Sequence, residues 1–172
     1  MPLQTPRDLF VHELSDTLSA EHIVLKMLGD LQSESRNDDV KAAYKHHQQE
    51  TEAQVRNLDK VFAQLGEKPE QTTCFAAEGL KKEHAALKEE GPSPMVQEMG
   101  NLGGAAKTEH YEIASYTTLV QMARDLGEKE AVELLNENLA QEKEMARTVE
   151  SLAKQLGKEA KAQTKEMETA KA

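Results

Sequence analysis

The sequence feature that most constrains the fold is a carboxylate inside an apolar helical face, in residues 108–120 (TEHYEIASYTTLV). At about 100° per residue, Glu109 falls near the middle of a face that also carries Ile113 and Tyr116, and Glu112 lies at the edge of that face. Burying an ionised carboxylate costs several kcal/mol unless a proton, a charged partner or a metal compensates. The fold must therefore supply such a partner.

Helical periodicity continues along most of the chain. It predicts four long helices and one shorter helix, at about residues 6–31, 38–65, 94–126 and 129–156, and at about 74–90. Thr5, followed three residues later by Asp8, can cap the first helix, and Ser93 with Pro94 suits the start of the third long helix. The sequence predicts an all-α fold, an antiparallel four-helix bundle in which the short helix is the crossover between the second and third long helices.

The other long helices also place polar groups where a helix that only packs would carry Leu. Glu21 lies inside the apolar stripe of the first helix, and Glu142 lies at the centre of the stripe of the last. On the second helix, His47 is on the apolar face and Glu50 is on its flank. Any single one of these Glu residues could be a water-bonded core residue, but four helices with the same feature indicate a common site.

The positions of the loops predict that these polar groups meet at one depth. Antiparallel neighbours joined by a short loop bring together residues that are equidistant from it. Glu21 and His47 average to position 34, in the first predicted turn, and Glu112 and Glu142 average to position 127, which is Gly127. The residues expected to converge are Glu21, His47, Glu50, Glu109, Glu112 and Glu142.

Five carboxylates and one imidazole at a buried point predict a metal site. Such carboxylates repel each other unless several are protonated or cations neutralise them. Two divalent ions would offset most of the charge, and this ligand set suits iron or manganese, with zinc also compatible. The common di-iron pattern has Glu on two helices and Glu-x-x-His on the other two. This chain reverses the order in His47-x-x-Glu50 and has Met145 three residues after Glu142, which leaves a single-metal site open.

Composition narrows the class of protein. With 172 residues, 30% charged residues, 3% aromatic residues and no Trp, the chain is expected to form one domain of amphipathic helices. The net charge of -10 argues against a nucleic-acid surface. The single Cys74 fits a reducing compartment. The first ten residues, MPLQTPRDLF, have neither the apolar nor the basic region typical of a signal segment, and no run approaches 18 apolar residues. We therefore expect a cytoplasmic protein that binds neither nucleic acid nor membrane.

The end of the chain differs from the rest. We expect residues 1–157 to form the helical domain and residues 158–172 to form a charged C-terminal tail. The tail mixes both charge signs without an apolar face, which is typical of a frayed helix or a disordered end. Within the third long helix, Gly100, Gly103 and Gly104 predict close helix packing or a contact with a second copy of the chain.

Several strings resemble a known family. They are DLFVHELSDTLSAE at 8–21, HQQET at 47–51, CFAAEGL at 74–80, EHYEIASYTTL at 109–119 and LAQEKEMA at 139–146. Together they resemble the YciE/YciF family of ferritin-like bacterial stress proteins, over about residues 7–156. The resemblance implies a ferritin-like bundle, a homodimer, a di-metal carboxylate site and a role in stress responses. Mapped onto this chain, the implied ligands are the same six residues.

Two functions follow as alternatives. The first is a stress protein with a di-iron or iron–manganese centre, two metals per chain, that reacts with O2 or H2O2 and oxidises ferrous iron. The second is a non-enzymatic helical structural or interaction protein, made under stress, with a vestigial or adventitious metal site. The resemblance supplies no reaction, so whether the protein is an oxidase, a peroxidase-type enzyme or no enzyme stays open, and no catalytic residue is assigned.

Overall fold

The structure is a computed structural model that describes residues 3–169, with side chains described throughout this range except at 163, 164 and 166–169. Five helices follow one another: α1 (Pro6–Glu34), α2 (Asp38–Leu65), α3 (Phe75–Glu89), α4 (Pro94–Leu126) and α5 (Lys129–Thr169). Residues 3–169 contain no strand. The all-α prediction is confirmed for this range.

The ends of the helices follow local chemistry. Thr5 accepts a hydrogen bond from the Asp8 backbone N–H while the Asp8 side chain accepts from the Thr5 N–H, so the predicted capping box is present. Asn37 caps α2 through its side chain, whereas Ser93 precedes α4 without a side-chain cap bond, contrary to the prediction. Gly66 and Gly127 end α2 and α4 at positive φ, a conformation that favours glycine.

The long helices pack in a closed ring of neighbours. α1 packs against α2 and α4, and α5 packs against the same two helices, while the short α3 lies on α1 and α4. A loop of three residues joins α1 to α2, and it is fixed by Glu98 of α4, whose carboxylate accepts from Ser35 Oγ at 2.6 Å and from the Arg36 N–H at 2.9 Å. These bonds fix the position of the α1–α2 loop relative to α4, and with it the register of the three helices.

Among the described residues, two apolar clusters occupy the space between the long helices, and a third, smaller one lies between α1 and the start of α3. One includes Phe10, Leu58, Phe62, Leu119 and Leu135, near the start of α1 and the end of α2. The other includes Leu28, Leu31, Val40, Leu102 and Val149, toward the α1–α2 loop. Burying one such side chain stabilises the fold by about 1.5–3 kcal/mol. The predicted site residues lie between the two clusters, in a layer that apolar side chains close on both sides.

The last helix is longer than expected. α5 continues through Gly157 to Thr169, past the predicted end near residue 156. One Gly within a helix costs only about 1 kcal/mol relative to Ala, and the Ala, Lys, Glu and Gln that follow are strong helix formers. The first part of the predicted tail is therefore helical, while residues 1, 2 and 170–172 lie outside the described residues. The domain boundary at residue 157 stays a prediction.

The three glycines near the start of α4, predicted to serve close helix packing or a contact with a second copy, differ in their surroundings. A Cβ added to Gly100 would clash with Leu87 Cδ2 of α3, so this position serves close helix packing. At Gly103 and Gly104 an added Cβ would meet nothing within 4 Å, which leaves the contact with a second copy as a prediction. Within the part of the chain that the structure describes, no helix combines the length and apolarity needed to cross a membrane.

Candidate metal centre

The six predicted ligands come from all four long helices. α1 carries Glu21, α2 carries His47 and Glu50, and the rest lie on α4 and α5. Five of the six are buried, and Glu50 is the exception, with 21% of its side chain exposed. Glu112 was placed at the edge of the apolar face of α4, but it is only 1% exposed. Because α4 packs against α1, α3 and α5, its buried arc is wider than a single stripe.

Four of these residues form what we call the acid cluster: His47, Glu109, Glu112 and Glu142. Each offers one ligand atom, and these atoms all lie within 4.8 Å of one another. His47 Nε2 lies 3.4 Å from Glu109 Oε2 and 3.6 Å from Glu142 Oε2. The predicted convergence of α2, α4 and α5 at one depth is therefore present.

Glu21 approaches the acid cluster from α1 and is fully buried. Its Oε1 accepts a hydrogen bond from the Tyr116 hydroxyl, and its Oε2 has no partner. Burial, followed by repulsion from Glu142, raises the pKa of Glu21 well above its usual value. Glu21 thus shares the electrostatic environment of the acid cluster.

Glu50 lies on the outer side of His47. Its Oε2 is 3.1 Å from His47 Nδ1, and its Oε1 is 3.4 Å from Nε2 of the exposed His46. The hydrogen bond with His47 lowers the pKa of Glu50. A carboxylate on Nδ1 fixes the tautomer of an imidazole and leaves Nε2 as the ligand atom. Glu50 stays a predicted ligand, and its observed contact is with the two imidazole rings.

The electrostatics of the acid cluster favour a positive charge. Burial, then repulsion from Glu142, raises the pKa of both Glu109 and Glu112 well above the usual value. A neutral His47 that donates Nδ1–H to Glu50 presents Nε2 as a third acceptor to the two carboxylate oxygens that it faces. Three acceptors facing one another are stable only if protons or a cation lie between them.

Unpartnered buried atoms test whether the site suits a metal. Among the described residues, the buried carboxylate and imidazole atoms without a hydrogen-bond partner are Glu21 Oε2, His47 Nε2, Glu109 Oε2, both oxygens of Glu112 and Glu142 Oε2, and the unpartnered oxygens of Tyr44 and Gln54 are buried as well. Buried polar atoms in native proteins are nearly always satisfied, so such a group at one point needs an explanation. Carboxylate oxygens with one imidazole nitrogen fit iron, manganese or zinc. The residues present therefore fit a divalent metal.

A polar network supports the cluster from the side of the first apolar cluster. Gln54 donates to Glu142 and to Gln141, and Asn138 donates to the Tyr116 hydroxyl at 3.1 Å. From the sequence, Gln54, Tyr44 and Tyr116 are predicted to hydrogen-bond to ligand residues or simply to pack. Gln54 and Tyr116 bond to predicted ligands, whereas the Tyr44 hydroxyl has no hydrogen-bond partner. Asn138 was missed, although it precedes Glu142 by four residues and so lies on the same helical face.

Two other histidines differ from what their positions in the sequence predict. His84 lies on a polar helical face, which predicts a solvated side chain, but only 11% of its side chain is exposed and its Nε2 lies 2.9 Å from Glu34. The position of His110, next to Glu109, favours an interhelical contact over metal ligation, yet His110 is exposed and its Nδ1 lies 2.9 Å from the Ala106 carbonyl oxygen of its own helix. His22 is exposed, as predicted. Neither His84 nor His110 belongs to the acid cluster.

Comparison with known proteins gives a family and relatives. The family described as "Domain of unknown function (DUF892)" matches residues 5–162. The chain is 37% identical to Protein YciF of Escherichia coli (strain K12) over 144 residues, which are 83% of this chain and 87% of that protein.

Solved structures of similar fold agree with this. The crystal structure of the E. coli stress protein YciF has a TM-score of 0.87 and 34% identity, and covers 91% of this chain and 99% of its own. YcfI from Rhodopseudomonas palustris, provisionally described as a structural protein, has a TM-score of 0.83 and 35% identity, with 86% of this chain and 94% of its own covered. A Xanthomonas campestris protein with 21% identity and a TM-score of 0.75 shares the fold, and covers 94% and 99%.

Proposed function

The chain belongs to the DUF892 family, which confirms the resemblance to YciE/YciF proteins, and we propose that it is a ferritin-like, metal-binding stress-response protein. The observation that carries the proposal is the group of unpartnered ligand atoms in the acid cluster. In this proposal the four long helices form an antiparallel four-helix bundle with α3 as the crossover. Two iron ions per chain, or iron with manganese, are the proposed metals, and zinc is compatible.

The proposed activity is oxidation of ferrous iron by O2 or H2O2. Iron held at this site would supply the electrons that reduce the oxidant. His47 would present Nε2, while Glu50 holds the Nδ1 side of the ring. Gln54 and Tyr116 hold the carboxylates of Glu142 and Glu21 by hydrogen bonds. The apolar clusters on both sides keep bulk water out of the layer in which these groups meet.

The setting of the activity is also a proposal. A relative with 34% identity is called a stress protein, and we assign this chain to bacterial stress responses, including oxidative stress, in the cytoplasm. A second copy of the chain is the proposed partner. The exposed side chains of Val96 and Met99, near the open surface of Gly103 on α4, support a homodimer contact there.

A second candidate is a non-enzymatic structural or interaction protein. Two observations favour it: the raised pKa of Glu109 and Glu112, which lets these carboxyls stay neutral without metal, and the provisional description of YcfI as structural. In this case the site is vestigial or holds an adventitious ion. The two candidates differ in metal content and in reactivity.

Metal content tests the proposal. Elemental analysis of protein from iron-supplemented cells should give about one to two metals per chain, and the Glu109→Ala, Glu142→Ala double variant should lose them. The double variant must first be shown to be folded by circular dichroism. Wild-type metal content in a folded double variant would overturn the site assignment.

Ferrous oxidation separates the enzyme from the binder. The metal-loaded protein is mixed with ferrous iron and H2O2, and the absorbance of ferric iron is followed. A rate above that of protein-free iron supports the oxidase. A rate no faster than the protein-free control would leave the metal-binding or structural protein.

A further inference from the structure

One residue of the six predicted ligands connects the buried layer to solvent. The side chain of Glu50 is 21% exposed, whereas the residues of the acid cluster and Glu21 are at most 2% exposed. The two apolar clusters close the layer at both ends. Glu50 is therefore the predicted ligand that contacts both solvent and a residue of the acid cluster.

Glu50 contacts a histidine on each side, one toward solvent and one toward the acid cluster. Outward, Glu50 Oε1 lies 3.4 Å from Nε2 of His46, whose side chain is 72% exposed. Inward, Glu50 Oε2 lies 3.1 Å from His47 Nδ1, and His47 Nε2 reaches the acid cluster. Since each carboxylate oxygen serves a different ring, Glu50 bridges an exposed imidazole and a buried one. His47 Nε2 has no hydrogen-bond partner, so the inner end of this line is unsatisfied.

We propose that His46 and Glu50 form a surface site that captures divalent cations and passes them inward to the acid cluster. This rests on the proposed metal binding. An imidazole and a carboxylate four residues apart on a helix face the same way and can bind one ion together. The net charge of -10 draws cations toward the protein. Rotation of the Glu50 side chain about its own bonds then moves its carboxylate from His46 toward the interior.

Cobalt uptake tests the route without relying on turnover. Metal-free full-length protein is mixed with Co²⁺ in a stopped-flow instrument, and the visible absorbance of bound cobalt gives the rate and the final stoichiometry. His46→Ala should slow uptake by about tenfold, the low end of what the loss of one group that supports a metal site costs. The final stoichiometry should equal that of the wild type, because His46 is not part of the acid cluster.

Matched variants separate capture from packing. His46→Glu replaces one ligand group with another at this exposed position and should restore the wild-type rate, whereas His46→Lys should slow uptake at least as much as His46→Ala. His22→Ala removes an imidazole that is also exposed but lies on α1 beside residues 69–73, and it should leave the rate unchanged.

The outcomes distinguish this inference from the proposed function. An unchanged uptake rate in His46→Ala, with normal stoichiometry, overturns the route and leaves the metal site standing. A reduced stoichiometry in His46→Ala also overturns it, because His46 would then be a resident ligand. If the wild-type protein binds no cobalt, both the route and the proposed metal binding are wrong.

Discussion

Two buried carboxylates on the inner side of α4 have opposite surroundings. Glu98 is 5% exposed, and both of its oxygens accept hydrogen bonds, from Ser35 Oγ and from the Arg36 N–H. Glu109, further along the same helix, is 2% exposed, yet its Oε2 has no partner and faces His47 and other carboxylates. The two residues share the helix and the degree of burial, but only one is satisfied by the protein itself.

Near the α1–α2 loop, the Glu34 carboxylate likewise accepts hydrogen bonds from neighbouring side chains. Burial raises its pKa, but hydrogen bonds from Lys88 and His84 outweigh burial and hold the pKa of Glu34 below its usual value. The fold thus supplies donors to buried acids where their role is structural. In the acid cluster it supplies more acceptors instead, which is the arrangement expected of a cation site.

The largest expected effect is stabilisation by metal. A divalent cation at about a thousand times its dissociation constant should stabilise the protein by about 4 kcal/mol, which is roughly 8–16 °C in the melting temperature of a domain of this size. Thermal denaturation with and without added Mn²⁺ or Zn²⁺ measures this shift.

The matched control for this shift compares the two acids. Glu98→Gln should keep the metal-dependent shift, because its surroundings hold no ligand atoms of the cluster, whereas Glu109→Gln should lose most of it. Equal metal-dependent shifts in melting temperature for the two variants would show that Glu109 is no more important for metal binding than Glu98.

In the metal-free protein, we expect smaller changes in the free energy of unfolding, with opposite signs for Glu98→Gln and Glu109→Gln. Glu98→Gln should destabilise the fold by about 1–3 kcal/mol, since an amide cannot accept from both Ser35 and the Arg36 N–H with the strength of a carboxylate. Glu109→Gln should leave the metal-free fold at least as stable at alkaline pH, by up to about 1 kcal/mol, because burial and repulsion from Glu142 disfavour the charged form of Glu109 and the amide has no charged form. Urea denaturation at pH 8 measures both changes. Loss of stability in both variants would contradict the account.

The smallest effect is a pH dependence with a defined sign. Glu21, Glu109 and Glu112 have pKa values raised above 4.5 in the folded state, so the folded state holds protons that the unfolded chain releases. Their contribution is complete below about pH 4.5 and is lost as the pH rises through the raised values. The metal-free protein should therefore be less stable at pH 8 than at pH 5, and Glu112→Gln should reduce the slope.

Two features keep this pH experiment interpretable. The lowered pKa values of Glu34 and Glu50 act in the opposite direction, and their stabilisation is lost only as the pH falls below the usual glutamate value. Between about pH 5 and pH 8, the difference in slope between the wild type and Glu112→Gln therefore reports on the acid cluster, because every other titrating group is common to both proteins. A rise in stability across this window, in the metal-free wild type, would contradict the raised pKa values.

Local sequence chemistry was enough to predict most helix bounds. α2 spans Asp38–Leu65 and α4 spans Pro94–Leu126, as predicted, because glycine ends both helices and apolar periodicity runs through both. The depth of the acid cluster followed from loop positions, since helices of constant rise carry their residues past one another in a fixed register. Two helix ends were misplaced: α1 continues to Glu34, past the predicted end near residue 31, and α5 continues past residue 156. The error at α5 is the larger, because one Gly does not stop a helix of otherwise strong helix formers.

The hydrogen-bond partners and the burial of individual carboxylates could not be predicted from local sequence. The donors to Glu98 lie in a loop more than 60 residues away in sequence, and no periodicity connects them. The burial of Glu112 depends on how many helices surround α4, and the exposure of Glu50 depends on which neighbour its flank faces. Such properties arise from tertiary packing, so the sequence indicated which groups converge but not which of them the protein itself satisfies.

The most direct measurement of the central claim is metal titration of the two α4 variants beside the wild type. Isothermal titration of the metal-free protein with Mn²⁺ or Zn²⁺ should give about one to two ions per chain for the wild type and for Glu98→Gln, and a loss of binding for Glu109→Gln. Unchanged binding in Glu109→Gln, with the fold intact, would show that the unpartnered acids are not the metal site.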